Sequence, residues 1–314
     1  MSRILLSLCI PTNGISELVF PVLDSIYSQK DVSEDHYEVV IMDNGTNDSF
    51  KKDMKELVKK HSNLVYKETS LTGFLNEPEA YKNASGELIK FINHRTKLLP
   101  GALKYFVSFV ENNIETKPVV YFSNGMIEDV QGVKECHNFD TFVRDLSYWS
   151  SWSTGMAIWR DDFYRLENNT IYNELYPHTT ILFNERNKNR YLIDNNVLLD
   201  EAKVGHAKKG RYDLFRAFSI EYMCIITDLY RDDSIRLDTL LKVKKDTLSF
   251  IANLFFSFII RKMPCSYDIS NTRALDLYYS KREIYGYIAK WIMLFPVRKT
   301  KRVFKNLTQK RKGK

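Results

Sequence analysis

Cysteine is scarce in this chain. Its four residues, Cys9, Cys136, Cys224 and Cys265, never fall into a Cys-x-x-Cys pair, which argues against a metal knuckle or a dithiol redox site and fits a reducing cytoplasm best. A secretory leader is missing too: Arg3 is followed only by the short apolar run Ile4–Ile10, which ends at Pro11 without a cleavage-like site. That run reads as a first strand. The longest strongly apolar stretch, Leu248–Ile260, falls short of the ~20 residues that span a bilayer. Excess basic charge is absent from the body as well. Of the 46 Lys and Arg, nine lie between Arg298 and Lys314 with no acid among them, so the other 297 residues carry 37 basic against 39 acidic side chains. A net charge of +7 therefore belongs to a tail, which disfavours a basic cleft for nucleic acid and favours a terminal electrostatic anchor.

What remains suits a folded enzyme-sized protein. With 314 residues, 44% hydrophobic and 27% charged, the chain can bury a large α/β core and still carry an appendage. Tyr and Phe, 19 each, are plentiful enough to serve both a core and stacking surfaces.

The stretch that organises the sequence is Gly86–Leu103. Its apolar run is bounded by Gly86 and by Pro100-Gly101, too short for a helix, so it predicts a buried strand. Ligands of open α/β sheets sit beyond the carboxyl ends of strands, which would place Asn93, His94 and Arg95 at a site lip. A polar Asn-His-Arg run also suits an ordinary strand-ending turn.

Before that stretch, Ile4–Ile10, an amphipathic helix carrying Leu18, Val22, Leu23, Ile26 and Tyr27, and the strand Tyr37–Met42 predict the opening of a doubly wound sheet. Lys51–Lys60 predicts a surface helix, Leu64–Tyr66 a short strand, and Gly73–Ser85 a loop with a helix. After it come the helix Pro100–Val110 and the strand Val119–Phe122. The polar segment to about Asp145 reads as an insertion, and the strand Met156–Trp159 follows it. The long run Tyr191–Leu199 predicts one more strand. Gly205–Arg211 is a basic loop whose Lys208, Lys209 and Arg211 suit closure over a diphosphate or a plain solvated face. From Tyr212 the periodicity is helical, over Asp213–Tyr230, Arg236–Arg261 and Thr272–Leu294. Trp291–Phe295 then leads into the basic tail, a combination that suits an anionic inner-leaflet surface.

Several of these landmarks together resemble the family 2 glycosyltransferases. There the first strand ends in Pro-Thr, as at Pro11-Thr12, and the second in an Asp-Asn-type turn, as at Asp43-Asn44. A Gly-Glu, a hydrophobic strand and a Leu-x-Pro-Gly-Ala-Leu helix start recur here as Gly86-Glu87 and Leu98–Leu103. The likeness covers roughly residues 4–210. It implies a GT-A fold, a Rossmann-like mixed sheet flanked by helices, followed here by a helical C-terminal extension. The expected divisions are residues 1–211, 212–297 and 298–314.

The resemblance also implies roles. Pro11, Thr12, Asp43 and Asn44 would recognise the nucleotide, with Asn93, Arg95, Lys208, Lys209 and Arg211 on its phosphates. Trp149 and Trp152 would stack on an acceptor sugar, or simply pack in the core. Where the family has Glu-Asp before a helix, this chain has Pro177-His178, as in relatives of the abequosyltransferases; His178, with Glu174 competing, would be the base that deprotonates the acceptor, or His178 would merely cap the helix. The implied reaction moves a sugar from a nucleoside-diphosphate sugar to a glycan or lipid-linked acceptor at the inner face of a membrane. The alternative is a catalytically silent homologue that binds glycan or an assembly partner.

One departure stands out. The family's acidic Asp-x-Asp-like triplet holds a divalent metal, manganese or magnesium, that carries the diphosphate; here those positions are Asn93, Arg95 and Thr96 around His94. Arginine cannot ligate a cation but can fork onto phosphate. The expectation is transfer that requires no metal, and the competing case is an ion held by His94 and His206.

Overall fold

The structure is a computed structural model that describes residues 3–167, 170–201 and 211–295. It divides into two compact units, one of residues 1–204 with 229–239, the other of 205–228 with 240–314.

The first unit is built on a five-stranded sheet. Strands β1 (Leu6–Thr12), β2 (Tyr37–Asp43), β3 (Leu64–Glu68) and β4 (Leu88–Phe91) run parallel in the order β3-β2-β1-β4. The edge beyond β4 is closed by an antiparallel strand, Ala157–Trp159. Helices α1 (Ser16–Tyr27), α2 (Asp48–Val58) and α3 (Asn76–Lys82) fall between the first four strands, the crossovers that parallel pairing demands. Side chains alternate across the sheet. Leu6, Leu8 and Ile10 pack with Val19, Val22, Leu103 and Phe106 on one face, while Cys9 on the other meets the Ala80 carbonyl of α3. A parallel sheet needs both faces covered, and both are.

After β4 the chain makes a short β5 (Thr96–Leu98) and α4 (Ala102–Asn113). A second, three-stranded sheet follows: β6 (Val119–Phe122) parallel to β9 (Tyr191–Asp194), and β7 (Val133–Cys136) antiparallel to β9. The segment expected to be an insertion thus supplies β7 and helix α5 (Phe139–Leu146). Polar alternation in Val133–Cys136 hid an exposed edge strand. β8 is the edge strand Ala157–Trp159, α6 spans Arg160–Glu167 and α7 spans Pro177–Asn184. The single strand expected over Tyr191–Leu199 is two, since β10 (Leu199–Glu201) leaves β9 to pair with β5. A bridge between Tyr121 and Met156 ties the second sheet to the segment entering β8.

The described residues of the second unit are mostly helical, with a non-helical segment over residues 261–271. Asp213 caps α8 (Leu214–Arg216), which continues through a π-helical turn, Ala217–Glu221, into α9 (Tyr222–Arg231). The next helix, α10 (Leu237–Phe255), ends in a second π turn, Phe256–Ile260. Phe215 packs on Phe255 and Phe218 on Phe250. The expected helix Thr272–Leu294 is broken in two: a 3-10 turn, Thr272–Leu277, and a helix over residues 281–295.

Candidate functional site

The carboxyl ends of β1, β2 and β4 meet through side chains. Thr12, buried at the end of β1, lies 3.0 Å by its hydroxyl from His94 Nδ1. Burial, and then the charge of Arg95, push the His94 pKa down to about 4. The ring is therefore neutral near pH 7, and the Thr12 hydroxyl that pairs with Nδ1 also accepts from the Gly14 N–H at 3.1 Å. His94 thus links the β4 end to the β1 end.

Asp43, buried at the end of β2, spends both oxygens inside the protein. Oδ1 accepts from the Gly45 N–H at 2.8 Å and Oδ2 from the Tyr66 hydroxyl at 2.8 Å. Burial first, then this carboxylate, raise the Tyr66 pKa. Gly45 is required by space, since a Cβ there would stand 2.2 Å from the Asn13 carbonyl oxygen. Asn44 donates from its side chain to the Leu71 carbonyl, drawing in the loop after β3. The helix cap beside this loop is Asn47, which accepts from the Phe50 N–H, so Asp43 has no capping role. Pro11 is half-buried on β1 opposite Met42.

Beyond β4 the residues Asn93, Arg95 and Thr96 line a cavity of about 140 Å³. Tyr121, Phe122, Ser123, Asn124 and Met126 form one wall of it, and Trp149, Trp152, Thr154 and Gly155 another. The fold therefore brings Asn93 and Arg95 together with Trp149 and Trp152, two pairs separated in sequence by more than fifty positions. Arg95 is the one charged residue among those lining it.

The walls are held by buried polar bonds. The Tyr121 hydroxyl donates between the carbonyls of Trp149 and Trp152, at 2.5 and 2.8 Å, fixing the two-tryptophan segment against β6. Gly155 lies flat on the Tyr121 ring, where a Cβ would come within 2.1 Å. Asn124 accepts from the Leu198 and Leu199 N–H groups, and Ser123 donates to Asn195. Lys90, wholly buried in β4 beside the rings of Phe106 and Phe122, donates to the carbonyls of Phe91, Thr154 and Met156. Desolvation lowers its pKa to about 7 against the pull of Glu77 and Asp194.

His178 lies behind this wall. It is buried at the start of α7, and its Nε2, 2.9 Å from the Ser151 carbonyl, must carry the proton and donate. Nδ1 faces Glu77 Oε2 at 3.6 Å, and the other Glu77 oxygen accepts from Tyr81. In this geometry His178 pins the segment that carries Trp149 and Trp152, and it is absent from the cavity lining. Glu174 is exposed on the loop ahead of α7. Arg211 is exposed, and Lys208, Lys209 and His206 lie outside the described residues.

The described residues around this cavity offer no ligand set for a divalent cation. Among the described residues no three His, Cys, Asp or Glu side chains come together, and the cavity lining contains no carboxylate.

Tyr66, Tyr121 and Lys90 were not singled out in the sequence. Of these only Lys90 left a signal, a lysine inside an apolar strand, which has to find partners when buried.

No family model matches the chain, and no curated protein matches it in sequence. Solved structures do match. S. aureus TarS 1–349 in complex with UDP-GlcNAc aligns at 16% identity and TM-score 0.59, covering 92% of this chain and 81% of that one. The longer S. aureus TarS structure aligns at 16% identity and TM-score 0.55 over 89% of this chain, which spans 46% of that protein. The mannosyltransferase PcManGT from Pyrobaculum calidifontis, in complex with GDP-Man and Mn2+, aligns at 15% identity and TM-score 0.51, covering 93% and 87%. At such identities the likeness establishes the fold. It is a GT-A fold, a mixed α/β sheet rich in parallel strands and flanked by helices.

Proposed function

We propose that this chain is a glycosyltransferase that moves a sugar from a nucleoside-diphosphate donor to a hydroxyl of a glycan or lipid-linked acceptor, in surface polysaccharide synthesis at the inner face of a membrane. The observation that carries the reading is the shared cavity. Asn93 and Arg95, at the strand end where GT-A proteins place a nucleotide sugar, stand across it from the tryptophan pair Trp149 and Trp152. The solved neighbours complexed with UDP-GlcNAc and GDP-Man support it.

In this reading Asp43 and Asn44 shape the nucleotide pocket and Thr12 and His94 close its floor. Arg95 meets the charge that develops on the leaving diphosphate, with Lys208, Lys209 and Arg211 adding to it. The tryptophan faces hold the acceptor ring. Of the two expected bases, Glu174 is exposed and His178 is fixed by its buried bonds, and neither lines the cavity.

A thermal-shift screen against UDP-, CDP-, GDP- and dTDP-sugars, with EDTA or manganese, tests the proposal. A shift with one class that survives EDTA, and is lost in Arg95→Ala, is the expected result. Transfer abolished by EDTA, restored by manganese and little affected by Arg95→Ala would overturn the charge-replacement part. The cavity without carboxylates also favours a second reading, a silent homologue that binds glycan; donor binding with no turnover of any acceptor would select it.

A further inference from the structure

The helix over residues 281–295 has two apolar faces and uses one. It begins in a reciprocal cap: the Ser280 N–H and hydroxyl donate to Glu283 Oε2 at 2.8 and 2.7 Å, and the Glu283 N–H returns to Ser280 Oγ. Ile284 and Ile288 are buried, Trp291 Nε1 donates to the Ser249 carbonyl, and Phe295 packs edge-on to Phe256 with Arg261 over its ring. That is the inner face.

On the outer face Tyr285, Ile292 and Met293 stand at i, i+7 and i+8, and they are 62%, 48% and 71% exposed. A helix facing water would place polar residues there. Lys281, Arg282 and Lys290 are exposed around the stripe, and the helix's one acid, Glu283, is held in the cap. The sequence beyond it, Arg298–Lys314, adds nine basic residues and no acid.

We propose that this face seats on the interfacial layer of an anionic membrane leaflet. Tyr285, Ile292 and Met293 enter the acyl boundary while Lys281, Arg282 and Lys290 meet the lipid phosphates. The charge complementarity selects the occupant: an apolar stripe edged by a single sign of charge matches a headgroup layer over hydrocarbon. A nucleic acid would offer the basic residues partners and leave the stripe in water. No described helix is long and apolar enough to cross a membrane. The proposal goes beyond the transfer reaction and does not depend on it.

Sedimentation of the full chain with vesicles of phosphatidylcholine, and of phosphatidylcholine mixed with phosphatidylglycerol, tests it without any nucleotide sugar. The wild-type chain should pellet with the anionic vesicles only. The double variant Ile292→Asn/Met293→Asn should bind them about tenfold more weakly or less, with unchanged thermal melting because both side chains are exposed. Deleting Arg298–Lys314 should reduce the salt-sensitive part of the binding, with the remainder carried by Lys281, Arg282 and Lys290, and leave the apolar part. Undiminished binding by the double variant would overturn the assignment of the face. Binding to RNA with none to either vesicle would overturn the choice of partner. Transfer assays on a soluble acceptor fail or succeed separately.

Discussion

Replacing Lys90 by methionine keeps an unbranched side chain, one atom shorter, and removes its titration. Folding into β4 carries the ammonium from a pKa of 10.5 to about 7. The shift is downward, so the folded state holds the proton less tightly than the unfolded chain. Below pH 7 both states are protonated and the fold bears the whole cost of the buried charge, on the order of 5 kcal/mol at ~1.36 kcal/mol per unit. Between pH 7 and 10.5 the unfolded chain still binds the proton and the folded chain does not, so stability rises with pH. Stability of the wild type minus that of Lys90→Met should therefore climb by ~2.3 kcal/mol from pH 7 to pH 9 and be flat below about pH 6.

The variant also strips a donor from the Thr154 carbonyl, whose bond to Lys90 is 2.6 Å; Met156 keeps the Phe91 N–H. That loss costs ~1–3 kcal/mol at every pH. It moves the curve vertically and leaves its slope alone, which makes the slope the readout. Urea unfolding at pH 5, 6, 7, 8 and 9 measures it, and other titrating groups cancel in the difference. A difference that does not change across that range would refute the buried, partly neutral lysine. Since Thr154 lines the cavity, the variant should also weaken ligand binding there.

Four other substitutions probe the site. Asp43→Ala frees the Gly45 N–H and the Tyr66 hydroxyl together, so nucleotide binding by calorimetry should vanish at a stability cost of ~1–3 kcal/mol; unchanged affinity would remove Asp43 from the site. Gly155→Ala drives a methyl into the Tyr121 ring and should cost ~1–3 kcal/mol or more while quenching or shifting tryptophan fluorescence, as Trp149 and Trp152 lose their anchor; an unaltered spectrum would contradict the packing. Glu174→Gln should lower kcat by at least ~100-fold if Glu174 is the base, whereas His178→Gln keeps a donor for Ser151 and should retain most of the rate. The reverse pattern would return the base to His178.

The parallel core was legible before any coordinates. Ile4–Ile10 and Tyr37–Met42 are short, continuous apolar runs bounded by Pro11-Thr12 and Asp43-Asn44, and only a strand buried on both faces writes that pattern. Gly86–Leu103 showed in the same way that Asn93, His94 and Arg95 close a strand end. Residues 123–145 did not, because β7 is exposed along most of its length and its side chains report solvent rather than a partner strand. Asp43 and Tyr66 are 23 positions apart and Tyr121 and Trp149 are 28 apart, and no local period connects either pair. For His178 the sequence supplied an imidazole at a helix start. Burial against the Ser151 carbonyl and Glu77 decided which nitrogen is committed, and such a commitment belongs to packing, since it depends on where α3 and the segment before β8 come to rest.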